Sequence, residues 1–420
     1  MCIISLRVQR AKSSRLLASQ AMTAFDGEME AQSRCQWMRG AATVLLLFWS
    51  AFCGACVLPL GLPALFTARG IYRRYANFIA GMWLSFAAMV IESPWLGNVS
   101  FVFSGDWPAD AAERALVISN HRCRLDWMFL WAFFRRLGGG AGSLTGGLPT
   151  LKIVLKDALK HLPAFGWAMQ FFLFLFLRRA WERDAAHIAS LLGYFRAHGE
   201  PLSLLLFPEG TDLSPTNVAK SNAFAAKAGA PAYDYVLHPR TRGFVHCLRE
   251  LRAGGGAAPP AVDALYDITL GYLDFAKGER PSEASLVRGR LPQQVHVHLM
   301  RHDIAAVPAA GADAARWVEQ RFKEKEARLR RFYADEAHPS FGAEQLSAQP
   351  PRVLPLAAVA LFWFTLMGAF VWGPAVSSVA RRAVACMVAV LVLGDKVLDG
   401  YDTVELRRHT PRCATDRKTA

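Results

Sequence analysis

Charged residues are absent from three long stretches of this 420-residue chain, at 41–68, 75–91 and 353–380. A helix crosses the hydrocarbon core of a bilayer with about 20 predominantly apolar residues. The first two stretches are joined by a short basic connection and predict a helical hairpin, and the third predicts a helix near the C-terminus. These stretches exclude a wholly water-exposed chain and favour a membrane anchor at both ends.

Acidic residues are outnumbered by basic ones, with 34 Asp and Glu against 48 Lys and Arg and a net charge of +14. Such a balance suits either nucleic acid or an anionic membrane surface. The basic clusters flank the apolar stretches, as at Arg381 and Arg382, which is where anionic lipid headgroups lie. We therefore expect the lipid bilayer, and no nucleic acid, to be the partner.

Several catalytic signatures are also missing. The nucleophile elbow G-x-S-x-G, the P-loop and H-E-x-x-H do not occur. The eight cysteines form no disulfide framework, and Cys53 and Cys56 lie within the first apolar stretch, where small residues on a membrane helix are the simplest interpretation. His296, His298 and His302 have no acid or cysteine arranged with them, so no metal site is predicted.

Strand-like and helix-like patterns alternate between about residues 115 and 305. Strands are predicted at 202–207, 264–270 and 294–300, and a charged helix at 312–336. The pattern predicts an α/β domain whose helices surround a mostly buried sheet. The apolar run at 164–177 is short for a membrane span and is expected to be a core or interfacial helix.

The predicted organisation has six parts. They are a basic polar leader (1–40), a two-helix membrane anchor (41–92), the α/β domain (93–336), a linker (337–352), one or more C-terminal membrane segments (353–396) and a basic tail (397–420), of which residues 407–420 are expected to be disordered. A fourth apolar run at 383–394 is either a further span or an interfacial helix. Glycine-rich loops are predicted at 138–147 and 254–260.

The most informative short segment is NHRCRLD at 120–126, which follows an apolar strand-like run at 115–118. It places His121 and Asp126 five positions apart. Five residues of a continuous helix turn through about 500°, which leaves the two side chains roughly 140° apart. His121 is therefore predicted on a loop and Asp126 in the first turn of the next helix. A histidine held by a carboxylate can take a proton, so the pair is a candidate general base with its orienting group.

Four segments, in this order, resemble the motifs of the glycerolipid acyltransferases. The first is NHRCRLD, the second is FLRR ending at Arg179, the third is FPEGT at 207–211, and the fourth is LHPR around Pro239 and Arg240. The longer segments NHRCRLDWMFLW, FPEGTDL and LHPRTRGF are similar in particular to the lysocardiolipin acyltransferase branch. The similarity runs from about residue 119 to 333.

The resemblance implies a glycerolipid acyltransferase fold, a mixed sheet surrounded by helices, with an N-terminal membrane hairpin and one or more C-terminal membrane helices. It implies an acyltransferase of the EC 2.3.1 class that moves a fatty acyl group from acyl-CoA, its co-substrate, to a free hydroxyl of a lysophospholipid. The acceptors it implies are 1-acylglycerol-3-phosphate, lysocardiolipin and lysophosphatidylinositol, and no cofactor is expected. It places the enzyme in phospholipid biosynthesis and remodelling at the endoplasmic reticulum membrane, with a mitochondria-associated or other organelle membrane as the alternative.

In that reaction His121 is the expected general base and Asp126 orients it. Backbone N–H groups near the helix start after Asn120 are the expected oxyanion donors. Arg179 is expected to hold the phosphate of the acceptor, and Cys123 needs no nucleophilic role because direct transfer forms no covalent intermediate. The residues expected to bind the substrate are Asn120, Arg179, Phe207, Pro208, Glu209, Gly210, Thr211, Pro239 and Arg240.

Asp212 departs from the arginine that many members carry directly after Glu-Gly-Thr. A carboxylate there repels a phosphomonoester, which argues against lysophosphatidic acid as the preferred acceptor. Lys220, Arg240 and Arg242 are candidates for compensating positive charge. Two alternatives remain open: a coenzyme-A-independent transacylase that takes its acyl group from intact phospholipid, and a non-catalytic membrane scaffold, against which the intact His–Asp pair argues.

Overall fold

The structure is a computed structural model that describes residues 34–108, 113–137, 143–252, 261–273, 280–309, 311–335, 340–342, 345–346 and 353–409. Within these residues an eight-stranded mixed sheet carries helices on both faces. The predicted α/β fold class is therefore confirmed.

The strands are β1 Ser100–Gly105, β2 Ala115–Ser119, β3 Leu151–Lys156, β4 Leu175–Leu177, β5 Ser203–Leu206, β6 Ala264–Tyr272, β7 Gln294–Asp303 and β8 Gln345–Leu346. Their order across the sheet is β4–β3–β5–β2–β6–β7–β1–β8. The five strands from β4 to β6 in this order run parallel, and β7 is antiparallel to β6. All five residues of β2 are buried, as is typical of a central strand covered on both faces.

The helices are α1 at 34–57, α2 Leu62–Thr67, α3 Arg69–Glu92, α4 Asp126–Arg136, α5 Phe165–Phe171, α6 Trp181–His198, α7 Pro215–Lys227, α8 Thr241–Arg252, α9 Glu283–Val287, α10 Gly311–Ala334, α11 Val353–Val376, α12 Ser378–Val397 and α13 Tyr401–His409. Helices α1, α3, α4 and α5 cover one face of the sheet, and α6, α8 and α10 cover the other. On the second face Leu191, Phe244 and Phe322 are fully buried.

The N-terminal helices form an antiparallel pair that packs on the sheet domain. Trp83 on α3 donates its indole N–H to Ser50 Oγ on α1 at 3.1 Å, and Tyr75 donates its hydroxyl to the Val57 carbonyl at 2.7 Å. The rings of Trp83 and Trp131 of α4 meet edge to face, with centroids 5.5 Å apart. The anchor and the domain therefore share one apolar core.

Three helical segments in the described part of the chain are long and apolar enough to cross a membrane: Arg34–Thr67, Arg69–Glu92 and Pro355–Val376. The third packs against α3, where Trp363 donates its indole N–H to the Met82 carbonyl at 3.0 Å. The segment α12, which contains the fourth apolar run, does not join these three. Its ends carry Arg381, Arg382, Asp395 and Lys396.

The apolar run at 164–177 is not one helix, so that prediction is wrong for its second half. The run forms α5 and then the edge strand β4. Ala164 and Leu173 have φ angles of +66° and +56°, which residues other than glycine seldom adopt and which no regular helix contains. The two breaks turn the chain into the sheet.

Several predicted boundaries also differ from the structure. Helix α1 includes residues 34–40 of the expected leader, and α13 lies within the expected tail. The tail folds there because Asp402 and Glu405 reach Lys160 and Arg73, each at about 3 Å, inside the domain. Residues 1–33, 138–142, 254–260 and 410–420, and most of the expected linker, lie outside the described residues.

Candidate active site

The predicted site residues gather at one edge of the sheet. His121 lies in the loop after β2, Glu209 follows β5, and Arg179 follows β4. These strands run parallel, so their carboxyl ends lie at the same edge, which is where open α/β sheets bind ligands.

His121 and Asp126 form a hydrogen-bonded pair, with Nδ1 and Oδ2 2.9 Å apart. Asp126 is the first residue of α4 and His121 precedes the helix, as the turn angle predicts. A proton shared between Nδ1 and the carboxylate leaves Nε2 as the ring nitrogen that can accept another. The side chain of His121 is 17% exposed while that of Asp126 is fully buried, so the imidazole faces the surface and the carboxylate does not.

Asp126 is held by further donors. Its Oδ2 accepts the backbone N–H of Cys123 at 3.0 Å, and its Oδ1 accepts the thiol of Cys123 at 3.1 Å and the hydroxyl of Tyr272. Burial raises the pKa of both Tyr272 and Cys123 well above their ordinary values, so both keep their protons and donate. Cys123 therefore supports the carboxylate of Asp126 through both its backbone N–H and its thiol.

Opposing effects set the protonation of His121. Burial lowers its pKa, but the hydrogen bond and charge of Asp126, together with the charge of Glu209, outweigh burial and raise the pKa above 6.5. The ring stacks on Phe207, with centroids 4.4 Å apart. The imidazole is thus a stronger base than a free one and is held in one orientation.

Glu209 ties three loops together. Its Oε1 accepts the backbone N–H of His121 at 2.8 Å, and its Oε2 accepts that of Leu237 at 2.9 Å. The residue is 2% exposed, and burial raises the pKa of its carboxyl group to about 7. Glu209 therefore acts as an internal bridge between the first, third and fourth motifs.

Asn120, which was predicted to bind the substrate, connects β2 to β6 with its side chain and is not exposed at the site. Its side chain accepts the N–H of Leu270 at 2.7 Å and donates to the carbonyl of the same residue at 3.2 Å, fully buried. The backbone N–H groups of His121 and Cys123 are committed to Glu209 and Asp126. These two groups are thus not the expected oxyanion donors.

Two exposed arginines flank the turn at Gly210. Arg179 donates from Nη2 to the Gly210 carbonyl at 3.3 Å, and the backbone N–H of Arg240 donates to the Pro208 carbonyl at 2.7 Å. Gly210 has a φ of +70°, and a Cβ there would lie 3.2 Å from Cδ of Arg240. The positive φ favours glycine at this turn, and the two guanidinium groups beside it suit a phosphate.

The charge of Asp212 is compensated by a residue that the sequence did not indicate. Arg280, 68 positions away, pairs with its carboxylate. Thr211, which directly precedes Asp212, accepts a hydrogen bond from the side-chain amide of Asn217 on α7 at 3.1 Å. Arg242, a predicted source of compensating charge, instead stacks on a tryptophan.

The remaining predicted residues shape the loops around the turn. Pro208 is buried, and Pro239 is half-buried directly before Arg240. Lys220 lies exposed on α7. The sequence motifs did not predict Tyr272 or Arg280 as site residues. Tyr272 ends β6 and Arg280 follows it, so both are far along the chain from their partners Asp126 and Asp212.

The fold and this site define an enzyme of the acyltransferase class. Residues 101–268 match the family model described as Acyltransferase, and residues 285–363 match the one described as Acyltransferase C-terminus. The chain is an acyltransferase.

Relatives narrow the class. Lysocardiolipin acyltransferase 1 from Gallus gallus is 37% identical over 380 residues, 88% of this chain and 94% of the relative. Lysophosphatidylinositol acyltransferase 10 from Caenorhabditis elegans is 34% identical over 70% of this chain and 71% of its own length. The solved 1-acyl-sn-glycerophosphate acyltransferase from Thermotoga maritima matches with a TM-score of 0.40 and 16% identity, over 70% of this chain and 98% of that one. The chain belongs to the glycerolipid acyltransferase family, and lysocardiolipin acyltransferases are among its relatives.

Proposed function

We propose that this acyltransferase is bound to a membrane and moves a fatty acyl group from acyl-CoA to a free hydroxyl of a lysophospholipid. The observation that carries the proposal is the His121–Asp126 pair beside a turn flanked by Arg179 and Arg240. A base next to a cationic turn suits a hydroxyl on a phosphate-bearing acceptor. The names of the relatives support lysophospholipids as the acceptor class.

In the proposed reaction the acceptor hydroxyl gives its proton to Nε2 of His121 as its oxygen attacks the thioester carbonyl carbon. A tetrahedral oxyanion forms, the carbonyl reforms, and the C–S bond breaks. The coenzyme A sulfur leaves with the bonding electrons and takes the proton from the imidazolium. Asp126 stabilises that imidazolium while it exists.

The acceptor is held through its glycerol phosphate, the chemistry that the candidate acceptors share. Arg179 and Arg240 supply the positive charge. Asp212 is paired with Arg280, so its carboxylate does not face the phosphate uncompensated. This arrangement weakens the argument from sequence against a phosphomonoester and leaves 1-acylglycerol-3-phosphate within the proposal beside lysocardiolipin and lysophosphatidylinositol.

The test uses membranes that contain the chain, labelled acyl-CoA and a panel of these lysophospholipids. We expect transfer by the wild type and a loss of about 10²-fold or more in His121→Ala, because general-base catalysis contributes about that much. The matched control is His302→Ala, since His302 pairs with Leu265 at the opposite edge of the sheet.

Each other outcome points elsewhere. Undiminished transfer by a folded His121→Ala variant contradicts the general-base role. Transfer only from labelled phospholipid, and none from acyl-CoA, supports the transacylase. No transfer by the wild type from either donor supports the scaffold.

A further inference from the structure

The connection between β4 and α6 holds Arg179 in an unusual conformation. Arg179 has a φ of +62°, a left-handed backbone that costs of order 1 kcal/mol for a residue other than glycine. In this conformation its guanidinium reaches the Gly210 carbonyl. Contacts around the connection must offset that cost, and they come from both neighbours of Arg179.

The first contact comes from α6. The buried carboxylate of Asp184 accepts the backbone N–H of Arg178 at 2.8 Å and that of Ala180 at 3.1 Å. One side chain thus holds the backbone N–H groups of both neighbours of Arg179. The backbone of the connection is fixed within the sheet domain.

The second contact comes from the C-terminal segment 395–405, which runs from the end of α12 into α13. Asp399 accepts two hydrogen bonds from Nη2 of Arg178, at 2.9 and 3.2 Å, and Asp157 lies 3.6 Å from Nε of the same guanidinium. Asp399 is itself left-handed, with a φ of +57°, and its carbonyl accepts Nζ of Lys160 at 2.6 Å. Its carboxylate is therefore presented from a defined backbone position.

Buried polar contacts anchor this C-terminal segment on both sides of Asp399. Asp395 accepts the side-chain amide of Gln170 at 3.0 Å, and Glu405 pairs with Arg73 at 2.9 Å. All four of these side chains are at most 4% exposed. The segment is thus part of the domain, although it lies beyond residue 363, where the match to the second family model ends.

We propose that Asp399 is a positioning residue for the acceptor site, acting through Arg178 on the phosphate-binding Arg179. The C-terminal segment thereby contributes to a site whose other residues lie between Asn120 and Arg280. This inference rests on the proposed phosphate contact of Arg179. Asp399 touches no substrate, and its effect is to keep the Arg178 side chain turned away so that Arg179 faces Gly210.

Asp399→Asn is the test variant, because asparagine tolerates a left-handed backbone and the change removes only the charge. Arg407→Gln is the matched control, since Arg407 is exposed on α13 and its replacement also removes one charge, whereas the carboxylates beside Arg178 are those of Asp399 and Asp157. Deletion of the segment is unsuitable, because it leaves Arg73 and Lys160 buried without their carboxylates.

The readout is the Kd of a labelled lysophosphatidylinositol in detergent micelles, together with kcat and both KM values. The ion pair is partly exposed, so we expect the Kd and the acceptor KM to rise about three- to fivefold in Asp399→Asn. The KM for acyl-CoA, kcat and Tm stay within error of the control. Arg178→Gln has the same effect, and the double variant is no worse than either single variant.

An unchanged Kd in Asp399→Asn overturns the inference, and so does a double variant whose effect is the product of the two single ones. If kcat and the kcat/KM values for the acceptor and for acyl-CoA all fall by the same factor, Asp399 has a general structural role. This outcome also overturns the inference. The Kd needs no turnover, so this result is independent of whether the wild type transfers acyl groups.

Discussion

At the scale of single residues, the reactivity of His121 depends on a balance between burial and charge. Burial disfavours the imidazolium, and Asp126 favours it more strongly. In the proposed reaction His121 is the general base and its neutral form is the active one, so a raised pKa moves the onset of activity to higher pH while making the base stronger. Asp126 thus increases the proton affinity of His121 and at the same time narrows the pH range in which the imidazole is neutral.

Replacement of Asp126 by asparagine tests this balance. The negative charge that raises the pKa of His121 is lost while burial remains, so the pKa falls. We expect the half-maximal point on the acid side of the kcat/KM profile to move to lower pH, and the plateau to fall about 10²- to 10⁴-fold because the imidazolium loses its partner. Profiles of both proteins between pH 5 and 9 measure this, and an unmoved acid side contradicts it.

Glu209 makes stability depend on pH in the opposite sense from an ordinary surface carboxylate. Burial raises the pKa of its carboxyl group from 4.5 to about 7 in the folded chain. Between these values the unfolded chain has released the proton and the folded chain retains it, so the free energy of unfolding falls as pH rises, by about 3 kcal/mol at most.

Glu209→Gln cannot ionise, so we expect the wild-type Tm to fall relative to this variant as the pH rises from 4.5 to 7 and to change little above it. Differential scanning fluorimetry in detergent across this range measures the difference. A constant gap between the two Tm values would show that the folded carboxyl titrates normally.

The site could be predicted from the sequence only where its parts are local. The spacing of His121 and Asp126 predicted both the loop and the helix start. Tyr272 and Arg280 were not predicted, because they reach Asp126 and Asp212 from 146 and 68 positions away and no local pattern marks them.

At the scale of elements, apolar periodicity predicted the strands β5, β6 and β7 to within a few residues. It failed at β3 and β4. A short buried strand and a buried helix are equally apolar, and the left-handed residue Leu173 that separates α5 from β4 has no signature in its side chain. Periodicity also missed α13, because two of its four buried residues are acidic.

The buried acid Glu405 should be essential for the docking of α13. It pairs with Arg73 and accepts the hydroxyl of Tyr194, and both charges are almost fully buried. Removal of one partner leaves the other charge uncompensated, which costs about 3–5 kcal/mol. We expect Glu405→Ala to lower the Tm in detergent by several degrees.

Glu319→Ala is the matched control, because Glu319 is exposed on α10. The double variant Arg73→Met with Glu405→Leu should recover part of the lost stability, since it removes both charges together. A loss in Glu405→Ala no larger than that of the control would show that the ion pair does not hold α13.

At the scale of the whole molecule, the long apolar helices differ in how much of their surface is buried against the rest of the protein. Of the most apolar 18 residues of α3, 72% are buried inside the protein, whereas only 17% of the most apolar 18 residues of α11 are buried. Trp372, Leu361 and Val371 on α11 are 71%, 70% and 61% exposed. Apolar area costs about 25 cal/mol per Å² in water, so a helix exposed on most of its perimeter needs lipid around it. Helix α3 contacts protein instead.

This division predicts that the chain is an integral membrane protein and that α11 contributes to its retention. We expect the wild type to sediment with endoplasmic reticulum membranes after extraction with alkaline carbonate and to dissolve only with detergent. Replacement of exposed Leu361 and Phe364 by lysine costs about 3 kcal/mol each at the centre of a span and should release a measurable fraction or send the chain to degradation. The same pair of changes at exposed Glu319 and Gln320 of α10 is the control. Release of the wild type by carbonate would show that these helices lie on the membrane without crossing it. Sedimentation with another organelle would show that the enzyme belongs to the membrane of that organelle.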